Sequence, residues 1–246
     1  MPSVFLSPSL QEYNPYVNGG NEEYYMNLIA DEMVPILTSS GIEVGRNNPE
    51  QTLSQAIAQS NAGNYNLHLA IHSNAAPPSN AGNVRGADIY YLASSAQSTR
   101  AANIFANNYK LIYPDPSLVK TISTTSLAEI IRTKAPAILI EVAYHDNPDD
   151  AQWIRDNISA IAENLSASVS DFLGVLEEEA AAPRQGRVTT QNTALNIRSQ
   201  PSVNSQVIGQ APRGAILTVL GTEGSWYLIN YNGLQGYVSS NFVTII

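Results

Sequence analysis

Leu69-Ala70-Ile71-His72-Ser73-Asn74-Ala75 runs apolar up to one histidine, then turns small and polar. A second run, Ala137-Ile138-Leu139-Ile140-Glu141, ends the same way in a carboxylate. Apolar runs of about four to eight residues read as strands buried on both faces, the pattern of a parallel sheet. Each places one chemically active side chain where the strand stops. In open α/β sheets ligands bind outside the carboxyl ends of the strands. A histidine and a glutamate there, with the acidic helix start Glu22-Glu23, point to a metal-assisted hydrolase.

Around these two runs, strand patterns alternate with helical ones. Val4–Leu6, Glu43–Arg46, Leu67–Ser73, Ala87–Leu92 and Ala137–Ala143 read as strands. Helical periodicity covers Asn21–Ser39, Thr52–Ala62, Ala96–Ile112, Ser126–Thr133 and Pro148–Leu173. This alternation predicts an α/β domain over residues 1–176, with a mostly parallel sheet flanked by helices on both faces. Glu177-Glu178-Glu179, followed by Ala180-Ala181-Ala182-Pro183 and Gly186, predicts a linker over 177–187. Beyond it, over 188–246, short β-rich pieces succeed one another between Gly-containing turns. Asn232-Gly233 between Tyr-rich flanks signals a tight hairpin. This segment is predicted to form a small all-β barrel.

Composition narrows the function. The net charge is −9, and the acidic residues concentrate in the first domain, which argues against a nucleic-acid partner. Residues 184–246 carry four arginines against one glutamate, a mildly basic module. No run approaches the roughly 18 apolar residues that span a bilayer. There is no cysteine, so a metal would rely on His, carboxylate or amide donors. Val4-Phe5-Leu6 follows Met1 almost directly, with no secretory signal pattern between them, so the reading is export by another route or an upstream segment.

The last domain resembles the bacterial SH3-like domain. The resemblance rests on Leu195-Asn196-Ile197-Arg198-Ser199-Gln200-Pro201-Ser202, Val207-Ile208-Gly209, Gly224-Ser225-Trp226-Tyr227 and Gly236-Tyr237-Val238, in that order. It implies a module that binds the cell wall or a peptide. Trp226, Tyr227 and Tyr237 are the candidate contacts, with barrel packing as the alternative for each aromatic.

The first domain resembles the zinc-dependent N-acetylmuramoyl-L-alanine amidases over roughly residues 2–174. Four blocks carry the resemblance: Val4-Phe5-Leu6-Ser7-Pro8-Ser9, Asn21-Glu22-Glu23, Ala70-Ile71-His72-Ser73-Asn74-Ala75, and Pro136–Tyr144 followed by Asn147-Pro148. It implies a Zn2+ ion bound by His72 and Glu22, with Glu141 as general base, acting on peptidoglycan at the cell wall or outside the cell. Glu22 is preferred to Glu23 because Met26, Ile29, Ala30 and Met33 follow it on one helical stripe. Pairing with Arg132 or Lys134 is the alternative for Glu141. Asn74 and His145 are candidate substrate contacts. His68, four residues before His72, lies roughly 13 Å away by strand rise and reads as structural.

One departure stands out. The family pattern places a zinc-binding histidine in a Gly-rich loop after the first strand; here that stretch is Ser7-Pro8-Ser9-Leu10-Gln11-Glu12-Tyr13-Asn14. Gln11, Glu12 or His145 are the candidates for the third ligand, and an amide is a weaker donor to zinc than imidazole. The alternative function is therefore a non-catalytic wall-binding protein with a degenerate metal site.

Overall fold

The structure is a computed structural model that describes residues 1–174, 184–191, 193–223 and 225–246. The chain divides into two compact units, Met1–Val175 and Leu176–Ile246. The expected linker's glutamates, alanines and proline, 177–183, lie outside the described residues.

The first unit is built on β1 (Ser3–Pro8), β2 (Glu43–Arg46), β3 (Leu67–Asn74), β4 (Ala87–Tyr91), β5 (Val119–Ser123) and β6 (Ala137–Tyr144). They form one sheet in the order β2-β1-β3-β6-β4-β5. β1 runs parallel to both β2 and β3, and β3 parallel to β6. β4 is antiparallel to β6, with β5 parallel to it. The mostly parallel sheet is as predicted; β5 is a strand the sequence patterns did not indicate. Its pattern explains this, since Lys120, Thr121 and Ser123 leave it short of apolar residues at the sheet edge.

The helices are α1 (Glu22–Ser39), α2 (Leu53–Ala62), α3 (Ala96–Tyr109), α4 (Ala128–Ile131), α5 (Pro148–Asp156) and α6 (Ile158–Leu173). The long pattern expected over 148–173 is two helices, meeting at Asn157, whose backbone leaves the helical region. Side chains alternate across the strands with period two. Leu67, Leu69 and Ile71 on β3, with Ile138, Ile140 and Val142 on β6, join the large core with α1, α3, α5 and α6. Ala70, Ala137 and Leu139 point the other way, into a smaller cluster with Ile130 of α4. That second face also carries His68 and His72 on β3 and Glu141 on β6. The apolar layer there is thin, and the chemistry occupies the rest of the face.

The second unit is a seven-stranded antiparallel sheet. Its strands are β7 (Arg184–Val188), β8 (Leu195–Arg198), β9 (Val207–Ala211), β10 (Ile216–Glu223), β11 (Trp226–Tyr231), β12 (Leu234–Ser239) and β13 (Val243–Ile245). The order is β13-β7-β10-β11-β12-β8-β9. Residues from both ends of that order, Val243 and Ala211, reach one cluster with Ile197, Val219 and Ile229, so the sheet curls around a single core. Residues 184–187, placed in the linker by their Arg and Gly content, instead form β7 and pair with β10 and β13. The hairpin at Asn232-Gly233 is as expected: both residues take positive φ, 52° and 85°, as a tight two-residue turn requires.

Candidate active site

Asn21 caps α1, its side chain accepting from the Tyr24 amide. The Glu22 amide bonds the Asn14 carbonyl, which fixes how the chain enters the helix. Glu22 then heads the buried stripe of α1 and is only 1% exposed, while Glu23 lies toward solvent. An uncompensated carboxylate so buried would cost several kcal/mol, so its partners matter.

Two of those partners, His72 and Gln11, are residues the sequence singled out; a third, Asn14, is not. Glu22 Oε1 lies 2.8 Å from His72 Nδ1, and Glu22 Oε2 accepts from the Asn14 side chain at 2.6 Å. The Gln11 amide sits 3.3 Å from His72 Nδ1 and 3.5 Å from Glu22 Oε1. A loop, a helix start and a strand end thus bring three donor groups to one point. A tetrahedral zinc with bonds near 2.0–2.2 Å separates its ligand atoms by about 3.3–3.5 Å. The two separations to Gln11 match that spacing, and the Glu22–His72 one is shorter. The Gln11 atom there is Nε2, with Oε1 accepting from Asn14 and Tyr13, so a half-turn of the amide would be needed to bring its ligating oxygen to the same point. Imidazole nitrogen, carboxylate oxygen and amide oxygen are all donors that zinc accepts. Among the described residues no three His, Asp or Glu side chains are grouped to hold a metal; the group here is one His, one Glu and an amide.

Glu12 is exposed and outside this group. His145 is also outside it. It is buried beyond the opposite face of β3, where Nδ1 bonds the Ser73 carbonyl at 2.8 Å and the ring stacks on Tyr16. Ser73 points away from His72 because successive strand residues alternate faces. The His145 carbonyl accepts from the Val17 amide, so this residue ties down the loop that carries Gln11 and Asn14. Asn74 remains at the strand end, bonding the Ala75 amide and reaching Asp88 at 3.5 Å.

Glu141 is the register partner of His72 on the neighbouring strand, roughly 4.8 Å away across the sheet and on the same face. Asp88 is its partner on the other side. Glu141 Oε2 is buried with no hydrogen-bond partner. Lys134 does not reach it, its ammonium being bonded to the Asn61 carbonyl. Burial pushes the Glu141 carboxyl up to about 7; His72 pulls the other way, while Glu22, Asp88 and Glu129 add to the rise. Glu141, His72 and Gln11 line one cavity of about 350 Å³, with Tyr13, Leu53 and Leu127 giving it apolar walls.

Because the folded carboxyl binds its proton more tightly than an unfolded one, with its ordinary value of 4.5, Glu141 lowers stability as pH rises from about 4.5 through about 7. Chelator-treated wild type and Glu141→Gln are therefore expected to melt alike near pH 4.5. At pH 8 the variant should be the more stable, by about 2 kcal/mol, a shift of 1.36 kcal/mol per unit discounted for the partly open cavity. Melting curves of the first unit's transition across that range check this.

Glu129 is the site residue that sequence reasoning missed. It sits on the single turn of α4, 4% exposed, and its two oxygens lie 3.2 Å from His68 Nε2 and 3.2 Å from His72 Nε2. The Ser7 hydroxyl donates to it at 2.5 Å. A lone acid inside Leu127-Ala128-Glu129-Ile130-Ile131 was the available signal.

In the second unit, strand alternation separates the three aromatic candidates. Trp226 shares its face with Leu228, Tyr237 and Arg198 by register. It lines a groove of about 510 Å³ with Leu195, Arg198, Val203 and Phe242. Tyr227 points the opposite way and packs on the core.

Residues 10–171, more than half of the chain, match the family profile of N-acetylmuramoyl-L-alanine amidases. The chain belongs to that family. Residues 193–244 match the bacterial SH3 domain. YrvJ of Bacillus subtilis (strain 168), which bears the name of an N-acetylmuramoyl-L-alanine amidase, is 28% identical over 99 residues, 39% of this chain and 18% of its own length. Bacteriocin BCN5 of Clostridium perfringens is 25% identical over 117 residues, 46% of this chain and 13% of its own. The chain thus spans less than a fifth of the length of these curated relatives. Among solved structures, the amidase AmiC2 of Nostoc punctiforme matches with a TM-score of 0.63 at 18% identity, covering 70% of this chain and 97% of that one. The catalytic domain of the CD27L endolysin, which targets Clostridia Difficile, matches at 0.57 and 17%, covering 70% and 98%. These likenesses establish the shared amidase fold.

Proposed function

We propose that the chain hydrolyses the amide joining the lactyl group of N-acetylmuramic acid to L-alanine in peptidoglycan, at the cell wall or outside the cell, and that its SH3-like unit holds it on the wall. The observation that carries this reading is Glu141. Glu141 lines the same cavity as Gln11 and His72, and its buried Oε2 has no hydrogen-bond partner among the described residues. A carboxylate kept without a hydrogen bond costs free energy in a folded protein unless it has work to do.

Gln11, Glu22 and His72 would hold a zinc ion, which supplies Lewis acidity toward the scissile carbonyl and toward water. Glu141 accepts a proton from the attacking water at Oε2. The water oxygen bonds the lactyl carbonyl carbon, the C–N bond breaks, and Glu141 passes its proton to the departing alanine nitrogen. A carboxyl titrating near 7 suits both halves of that exchange at neutral pH. Tyr13, Leu53 and Leu127 offer apolar contact beside the bond. Asn74, at the end of β3, is assigned a substrate contact in this reading, and His145, being buried, the role of holding the loop. Incubating purified sacculi with the zinc-supplemented chain should release free alanine amino termini; none released at any zinc level rejects the reading.

The competing reading, a wall-binding protein without catalysis, is favoured by one observation: Gln11 stands where the family pattern has histidine. Metal analysis separates the two. One zinc per chain supports the enzyme, and failure to retain zinc supports the binder.

For the SH3-like unit, Trp226→Ala in the full chain should lower retention on pelleted sacculi without changing the unit's melting. Tyr227→Ala should instead cost about 1.5–3 kcal/mol of its stability, since that ring packs on the core. Equal retention of wild type and Trp226→Ala removes Trp226 from the contact surface.

A further inference from the structure

His68 and His72 stand four residues apart on the same face of β3, too far for one metal ion but not for one carboxylate between them. Glu129 spans that gap. Its Oε1 meets His68 Nε2 and the Ser7 hydroxyl, and its Oε2 meets His72 Nε2. His68 is fully buried, and its other ring nitrogen lies 2.9 Å from the Ser60 hydroxyl. A continuous buried chain therefore runs Ser60, His68, Glu129, His72, Glu22.

We propose that Glu129 is a positioning residue: it accepts the Nε2–H hydrogen bond of His72, fixes the plane of the ring, and so leaves Nδ1 facing Glu22 and Gln11. His68 in turn positions Glu129. This deepens the metal reading of the same site and rests on it.

A histidine ligand is a free rotor about two torsions until its second nitrogen is bound. A carboxylate on that nitrogen sets the tautomer and makes the free nitrogen a better donor. Here the carboxylate is itself held by three donors, Ser7 on β1 and His68 and His72 on β3, so little freedom remains. A ring N–H of His68, a ring N–H of His72 and the Ser7 hydroxyl all have Glu129 oxygens as acceptors within 3.2 Å. The arrangement also accounts for an acid on an otherwise apolar turn of helix. With Gln11 as a weaker third donor, a fixed imidazole matters more to the grip on the ion than it would with three strong ligands.

The test is zinc affinity of the full chain, measured by competition with a chromogenic chelator, beside the Nε2–H resonance of His72 in zinc-loaded chain labelled with 15N-histidine. Wild type should bind one zinc and show a slowly exchanging, low-field His72 Nε2–H. Glu129→Gln should bind zinc about 10–100-fold more weakly and lose or shift that resonance. His68→Leu, which touches none of the three donors, should weaken binding less, in the same direction. The double variant should bind no worse than Glu129→Gln, because His68 acts through Glu129. Wild-type affinity and an unmoved resonance in Glu129→Gln overturn the inference while leaving the metal site intact. No zinc bound by wild type overturns the metal reading itself. Should Glu129→Gln not fold, His68→Leu decides: unchanged affinity there rejects the relay.

Discussion

Glu141→Gln is expected to slow release of alanine amino termini from sacculi by about 10²–10⁴-fold, the span usual for loss of a general acid–base group. It should leave one zinc bound per chain. The amide keeps the size of the acid and cannot take up a proton, so the wall of the cavity stays in place while the proton exchange stops. The same variant should be the more stable protein above neutral pH, since it deletes a carboxylate whose Oε2 is buried without a partner. Gain of stability with loss of rate is the signature of a side chain kept for function at a structural cost. An unchanged rate would remove Glu141 from the chemistry, and a rate lost together with the zinc would make it a ligand instead.

His72→Ala should have the largest combined effect. It removes the imidazole that stands between two buried carboxylates, Glu22 and Glu129, with Nδ1 on one and Nε2 on the other. Burial would lower the basicity of this ring, but bonds to Glu129 and Glu22 raise it well above the usual histidine range. Deleting one member of such a group leaves charge buried without its partner, a loss of about 3–5 kcal/mol. The variant should therefore retain no stoichiometric zinc and should melt earlier than wild type in the presence of a chelator. Denaturant unfolding and metal analysis of the same preparation check both. Stoichiometric zinc in folded His72→Ala would place the metal elsewhere.

The fold could be read from particular stretches. Uniform apolar runs at 67–73 and 137–143 allow only strands covered on both faces, and the helical stripes between them supply the cover. The reading stopped where pattern is set by position in the sheet. Edge strand β5 needs few apolar residues, and β7 is rich in Arg and Gly yet pairs on both sides. The helix expected over 148–173 hid a break at Asn157 because both halves keep the same apolar period.

At the site, the sequence by itself determined which groups lie in the later part of a central strand or at a helix start: His72, Glu141 and Glu22; the strands run on past the first two, to Asn74 and Tyr144. The tertiary structure alone decided which of them meet. Whether Gln11 or His145 joins Glu22 depends on which face of β3 each loop crosses, and partners 61 positions apart (Gln11 and His72) or 72 apart (Ser73 and His145) have no shared period to reveal it. Glu129 was out of reach for the same reason. One turn of helix carries too little pattern to show its facing, and only packing of that turn on β3 turns an isolated acid into the clasp between two histidines.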